Sequence, residues 1–317
     1  MTSADTPALS AAGLSVKLGG TEILKGVNLR VDQGDLYGLL GRNGAGKTTS
    51  LRCILGFLPP SGGDCRVFGV PGHALHTCPF PIGVALDPPG LDDSLTVRQN
   101  LELAVLRGGI SGGRGVDEAL DLVGLTYRQH NRGDRLSHGQ GRRAAVARAL
   151  LGSPRLLVMD EPLSGLDPEG VEMLIGLFRQ LAFDEGVTVV LSSHHLREVQ
   201  DVCTRVGMIE QGYTILQGET RKLLRQAGDG LRLRVAADQI QAALAYLQKN
   251  DALASVDNRG EGHLFCRVHQ STNWQLLLSQ LVAQDFGLSE FGPEQATLVD
   301  VFTQALAKSD APVEVSS

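Results

Sequence analysis

Gly41-Arg42-Asn43-Gly44-Ala45-Gly46-Lys47-Thr48-Thr49 is the stretch on which the reading of this chain turns. It has the form G-x-x-x-x-G-K-T, a phosphate-binding loop. The apolar run Asp35 to Leu40 precedes it and the helix-like run Thr49 to Leu55 follows it, which is the strand, tight loop and helix that the pattern requires. Glycines let the backbone curl until successive N–H groups converge on one point, and the partial positive charge of the helix N-terminus falls on the same point. The product is an anion hole sized for phosphates. Lys47 would reach the β- and γ-phosphates of a nucleotide, and the Thr48 hydroxyl would enter the shell of a Mg²⁺ ion.

Outward from that loop, composition sets the frame. At 317 residues the chain exceeds what one core usually holds, so two domains are expected. A net charge of -6 gives no reason to expect nucleic acid as a partner. Five scattered cysteines, with no C-x-x-C pair, suit a reducing compartment. Residues 1–11 read as a flexible tail without the basic and apolar regions of a signal peptide. No apolar run approaches 18 residues, so the chain is not expected to span a membrane by itself.

Upstream of the loop, Leu14 to Leu18 and Val27 to Val31 alternate as strands around Gly19-Gly20, predicting an antiparallel β element. Downstream, Ile82 to Leu86 reads as a strand stopped by prolines, and Thr96 to Val123 as part of a helical insert. Leu136-Ser137-His138-Gly139-Gln140 then opens a helix carrying Arg142, Arg143 and Arg148. Leu156 to Met159 is a buried strand ending in Asp160 and Glu161, as expected at the centre of a parallel sheet with its ligand at the carboxyl edge. Asp160 is placed to hold Mg²⁺ through water, and Glu161 to take a proton from, or orient, an attacking water. Acids at that place can also simply cap the next helix. Ser164 to Pro168 turns into a helix, and Val187 to Ser193 delivers His194 and His195 to the same edge, where an imidazole could contact a γ-phosphate.

Together, in this order, Gly41 to Thr49, Leu136 to Gln140, Leu156 to Glu161, Ser164 to Asp167 and His194 resemble the ATP-binding-cassette (ABC) ATPases over about residues 12–220. The resemblance implies an α/β P-loop NTPase fold with a parallel core sheet, an antiparallel β subdomain and a helical subdomain at about residues 89–148. It implies ATP and Mg²⁺ as cofactors, catalytic roles for Lys47, Glu161 and His194, and a two-site dimer. Ser137, Gly139 and Gln140 of one copy would cap ATP held by Gly41 to Thr49 of the other, with Asp167 at the dimer seam. Leu18 stands where the family usually stacks an aromatic residue on adenine. Asp87 stands where the family has a glutamine at the metal, a replacement similar to that of the peptide-antibiotic export and immunity subfamily. His138 replaces the first signature glycine.

Beyond residue 218 a smaller unit, residues 219–310, is expected. Leu231 to Val235, Gly262 to Val268 and Gly287 to Phe291 read as strands, and the stripes Ile240, Leu244, Leu247 and Trp274, Leu277, Leu278, Leu281 as helices. A strand-helix-strand-strand-helix-strand order suggests a ferredoxin-like α+β module supporting dimerisation, with residues 311–317 as a second flexible tail. The functional expectation is the ATPase subunit of an exporter, peripheral on the inner face of the cytoplasmic membrane. Its partners would be a transmembrane permease subunit and a second copy or a similar ATPase. An engine for mechanical or assembly work, and a soluble ABC protein acting on ribosomes or DNA, are the alternatives.

Overall fold

The computed structural model describes residues 6–228, 230–251, 253–268 and 273–309. They fall into two compact units that divide between Thr220 and Arg221. The C-terminal tail read at 311–317, and the first five residues of the N-terminal one, lie outside the described residues.

The first unit opens on β1 (Leu9–Leu18) and β2 (Thr21–Val31), antiparallel across the turn at Gly19-Gly20. β1 starts at Leu9, so residues 9–11, read from the sequence as tail, are strand. Ala8, Leu9 and Ala11 are buried apolar side chains. Small residues there carry too weak an alternation to be read as a strand. Next come β3 (Leu36–Leu40), α1 (Lys47–Ile54), β4 (Gly62–Val67), β5 (Val70–Pro71) and β6 (Ile82–Ala85). β1, β2, β4 and β5 form one sheet in the order β2-β1-β4-β5.

A helical insert follows. α2 (Val97–Gly108) begins with a reciprocal capping box between Thr96 and Gln99 and stops at Gly109, in the left-handed region. α3 (Val116–Leu122) and α4 (His138–Leu150) complete it. α4 buries Ala144 to Ala147, Ala149 and Leu150, a small-residue surface that lets it sit close to β6 as well as to its helical neighbours.

The chain then returns through β7 (Leu156–Met159), α5 (Pro168–Arg179), β8 (Thr188–Ser193), α6 (Leu196–Gln200), β9 (Arg205–Glu210) and β10 (Tyr213–Glu219). The main sheet runs β10-β9-β3-β8-β7-β6, parallel from β9 to β6. β3, β7 and β8 are buried along their whole length, as strands covered on both faces must be. Truncating a leucine such as Leu157 there would cost about 2–5 kcal/mol. The parallel register aligns the strand ends. Leu40 pairs with Ser193 and Met159 with Leu191, so the chain leaves β3, β7 and β8 at one edge of the sheet.

In the second unit, α7 (Thr220–Ala227) leads into β11 (Gly230–Arg234), α8 (Ile240–Leu247), β12 (Leu253–Gly260), β13 (His263–Val268), α9 (Trp274–Ala283), β14 (Glu290–Glu294) and α10 (Leu298–Ser309). Its antiparallel sheet has the order β12-β13-β11-β14. That is the ferredoxin-like arrangement, with α8 and α9 contributing Ala243, Leu247, Leu277 and Leu281 to the core. Four features differ from the sequence expectation. β14 begins at Glu290 rather than Gly287 and runs through Pro293, which an edge strand tolerates because one side needs no N–H donor. α7, β12 and α10 are elements to which the sequence reading assigned no residues.

Candidate functional site

The site is built at the common edge of β3, β7 and β8. From β3 the chain enters Gly41 to Gly46, then α1. Gly46 is the N-cap of α1 with φ of 111° and no side chain to cap it. A Cβ there would lie 2.5 Å from Leu24 Cδ2 and would push that side chain aside, and the positive φ itself favours glycine. Without a capping side chain, the first-turn N–H groups of α1 are left to an anion. Gly212 N donates to Ala45 O at 3.0 Å, tying the loop to the turn after β9. Arg42, Asn43 and Gly44 face solvent, whereas Ala45, Gly46 and Lys47 are buried.

Lys47 is 5% exposed, and its ammonium donates to Gly41 O at 2.8 Å and Arg42 O at 3.3 Å. It also lies 3.2 Å from Glu161 Oε1. The other oxygen of that carboxylate, Oε2, is 2.8 Å from His194 Nδ1. Lysine, acid and histidine therefore form one line across β3, β7 and β8. Glu161 holds φ of 50°, an uncommon conformation for a non-glycine residue. Its N–H donates to Ser192 Oγ at 2.9 Å.

Asp160 forms a second line. Thr48 Oγ1 donates to its Oδ2 at 2.7 Å and Ser192 Oγ to its Oδ1 at 2.5 Å. The carboxylate is 3% exposed, and no cation pairs with it among the described residues. A dry carboxylate served only by neutral hydroxyls is short of positive charge. That donor set fits a Mg²⁺ ion, which takes one or two carboxylates, a hydroxyl, water and substrate phosphates rather than an all-protein cage. No cluster of three or more His, Cys, Asp or Glu side chains suited to a metal occurs among the described residues. Neither acid caps a following helix: Asp167 does so, its Oδ1 accepting from Gly170 N at 3.0 Å at the start of α5.

Asp87, expected beside the metal, lines one cavity with Asp160 and pairs with Arg142. Its carboxylate is 3.3 Å from an Arg142 nitrogen and 47% exposed. Leu18, expected against adenine, ends β1 and is 45% exposed. At the other end of the insert, Ser137 and Gln140 close a capping box on α4, with Gln140 N on Ser137 Oγ at 3.2 Å and Ser137 N on Gln140 Oε1 at 3.1 Å. This cap uses acceptors only, so the Ser137 O–H and the Gln140 amide hydrogens stay available as donors. Gly139 is buried against the turn before α5, where a Cβ would sit 3.0 Å from Leu166 Cδ2. His138 is exposed beside it.

Sequence reasoning missed the residues that brace these groups. Ser192 was read only as the end of a buried strand, although two serines closing an otherwise apolar run were a signal. Arg142, noted without a role, donates to the Glu161 carbonyl as well as pairing with Asp87.

With this geometry in place, the known proteins that the chain resembles become informative. The ABC transporter family matches residues 24–164. The bacitracin transport ATP-binding protein BcrA of Enterococcus faecalis is 36% identical over 65% of this chain and 68% of its own length. An uncharacterized ABC transporter ATP-binding protein of Bacillus subtilis, YdbJ, is 32% identical over 94% of this chain and 95% of its own. The chain belongs to the ABC transporter ATP-binding proteins. A dimeric structure of the bacterial ABC transporter cassette MJ0796 superposes with a TM-score of 0.61 at 25% identity, covering 67% of this chain and 99% of that one. This ABC subunit is thus an ATPase that binds ATP and ADP, of a kind that forms dimers and works with transmembrane subunits. No described helix of it is long and apolar enough to cross a membrane.

Proposed function

We propose that this ABC subunit drives export of a substrate through a separate transmembrane subunit, working as a dimer on the inner face of the cytoplasmic membrane. The observation that carries the ATPase part is the convergence of Lys47, Glu161 and His194 in one line and of Thr48, Asp160 and Ser192 in another, at a single sheet edge. Export is supported by the acid at position 87 and by a relative whose name refers to bacitracin transport.

ATP enters phosphates first. The N–H groups of Gly44 to Thr48 and the Lys47 ammonium bind them, and the glycine loop excludes side chains that would hold the phosphates off. Arg42, Asn43 and Thr49 flank the cradle, and Leu18 offers adenine an aliphatic contact. Thr48 and Asp160 would hold Mg²⁺, which would neutralise phosphate charge there. The partner copy presents the start of α4, where the donors left by the cap, Ser137 O–H and Gln140 N–H, join the helix N-terminus in facing the γ-phosphate. Gly139 lets that turn approach closely, and Asp167 fixes the turn beside it at the seam. Glu161 accepts the proton of the attacking water, and His194 holds the carboxylate in place from its other oxygen. Loss of the γ-phosphate removes the charge that joins the two copies, and the dimer opens.

The test is purification of the Glu161→Gln chain from detergent-solubilised membranes with ATP and Mg²⁺. Co-purification of a polytopic membrane protein is expected. Recovery of only ribosomes or DNA would overturn the transporter reading.

A further inference from the structure

Glu161 must place its carboxylate on Lys47 and His194 from a backbone conformation that costs about 1–2 kcal/mol for a side chain with a Cβ. Something has to hold that turn. Its N–H is held by Ser192 Oγ at 2.9 Å, and its carbonyl accepts from Ser164 N at 3.2 Å and from Arg142. Arg142 comes from α4, the helix that begins at Ser137 and Gln140, and its side chain is only 18% exposed. One arm of the guanidinium is on the Glu161 carbonyl and the other is 3.3 Å from Asp87 Oδ1.

The loop that carries Asp87 is gripped at further points. Arg52, from α1, donates to the Asp87 carbonyl at 3.0 Å. Arg148, six residues along α4 from Arg142, donates to Gly90 O at 2.5 Å and Pro89 O at 2.8 Å. Burial lowers the Arg148 guanidinium from its ordinary value, but an arginine keeps its charge at any physiological pH. Residues 87–90 and α4 therefore share guanidinium contacts. Only one of these, Arg142, also touches the backbone of the strand-end acid.

Arg142 is suited to this place by shape. A planar guanidinium meets two acceptors from two separate nitrogens held in a rigid plane, whereas a lysine has one nitrogen on a flexible stem. From this geometry we propose that Arg142 is a positioning residue for Glu161, and that its pairing with Asp87 makes the setting of Glu161 depend on the position of the 87–90 loop. Asp87 then acts on hydrolysis through Arg142 and not as a ligand of the metal. The inference rests on the reading of Glu161 as the group that activates water.

The experiment compares ATP turnover and equilibrium ATP binding of the full chain carrying Arg142→Met, Arg142→Lys, Asp87→Asn and the Arg142→Met/Asp87→Asn pair, beside Glu161→Gln. Arg142→Met should lower kcat by about 10- to 100-fold with the ATP Kd within about twofold, the split expected of a displaced reacting group in an intact binding site. Arg142→Lys should lower kcat in the same way, and it decides the matter if the methionine variant does not fold. Asp87→Asn should cost less than Arg142→Met and add nothing to it, because both changes break one chain of contacts. Wild-type kcat in the Arg142 variants, an equal loss of ATP binding, or full additivity of the pair would each overturn the proposal. If Glu161→Gln itself turns over normally, the water-activating reading fails instead. An inactive Glu161→Gln beside fully active Arg142 variants sinks the positioning role alone.

Discussion

Lys47 Nζ lies 3.2 Å from Glu161 Oε1, so the cation proposed to receive phosphate and the acid proposed to act on water are direct neighbours. Each limits where the other can go. Lys47→Ala removes the ammonium from a pocket already closed to solvent, and charge-assisted bonds of this kind contribute about 1.5–3 kcal/mol each. ATP affinity should fall by about 100-fold or more on that basis, read by equilibrium binding. Unchanged affinity would sink the phosphate-loop assignment.

Glu161→Gln keeps the shape of the side chain and removes its basicity. Turnover should drop by about 10²- to 10⁴-fold, the range of a lost general base, while ATP still binds. Dimer should then accumulate with ATP and Mg²⁺ on size-exclusion chromatography. Normal hydrolysis would move the base role to another residue.

Ser192 is the hidden support of both acids, donating to Asp160 Oδ1 and accepting from Glu161 N. Ser192→Ala leaves a buried acceptor and a buried N–H unpaired at once, a cost of about 1–3 kcal/mol for each. A lower Tm is expected, together with a higher Mg²⁺ concentration for half-maximal ATPase. If Tm falls but the Mg²⁺ requirement does not move, Asp160 does not depend on Ser192 for its orientation.

How much of this could be read from the sequence differs between the two units for a physical reason. The phosphate loop and the strand-end acids depend on local rules, glycines at forced turns and carboxylates after an apolar run, so Lys47, Thr48, Asp160 and Glu161 were legible one segment at a time. What Arg142 and Ser192 do depends on which strands lie side by side. The parallel register that sets Met159 against Leu191 is a long-range fact with no local signature. Asp87 is a further case, because its contact with the Arg142 guanidinium, 3.3 Å away, joins two segments that no local pattern connects. In the second unit, α10 had a local signal that went unread. Thr297 and Asp300 stand three apart before the spacing Leu298, Val301, Phe302, Ala305, a helix start of the capping-box kind.

That same helix start gives a pH-dependent prediction. Asp300 is buried, which by itself would raise its pKa, but hydrogen bonds from the Thr297 hydroxyl and N–H and the Arg259 guanidinium outweigh burial and hold it below the ordinary value of 3.8. Folding therefore favours the ionised form. The stabilisation is complete above about pH 5, begins to fall near the unfolded value and is lost as pH drops through the lowered native value. Asp300→Asn keeps the size of the side chain but gives up the charge facing Arg259. It should destabilise the second unit by about 1.5–3 kcal/mol at pH 7, the scale of a charged hydrogen bond. The gap from wild type should close as the pH is taken from 4 towards 2. Trp274, the only tryptophan of the chain, lies on α9 of the same unit, so its fluorescence during urea unfolding reports the right transition. A gap that stays constant across that range would show that the carboxylate charge is not what anchors α10.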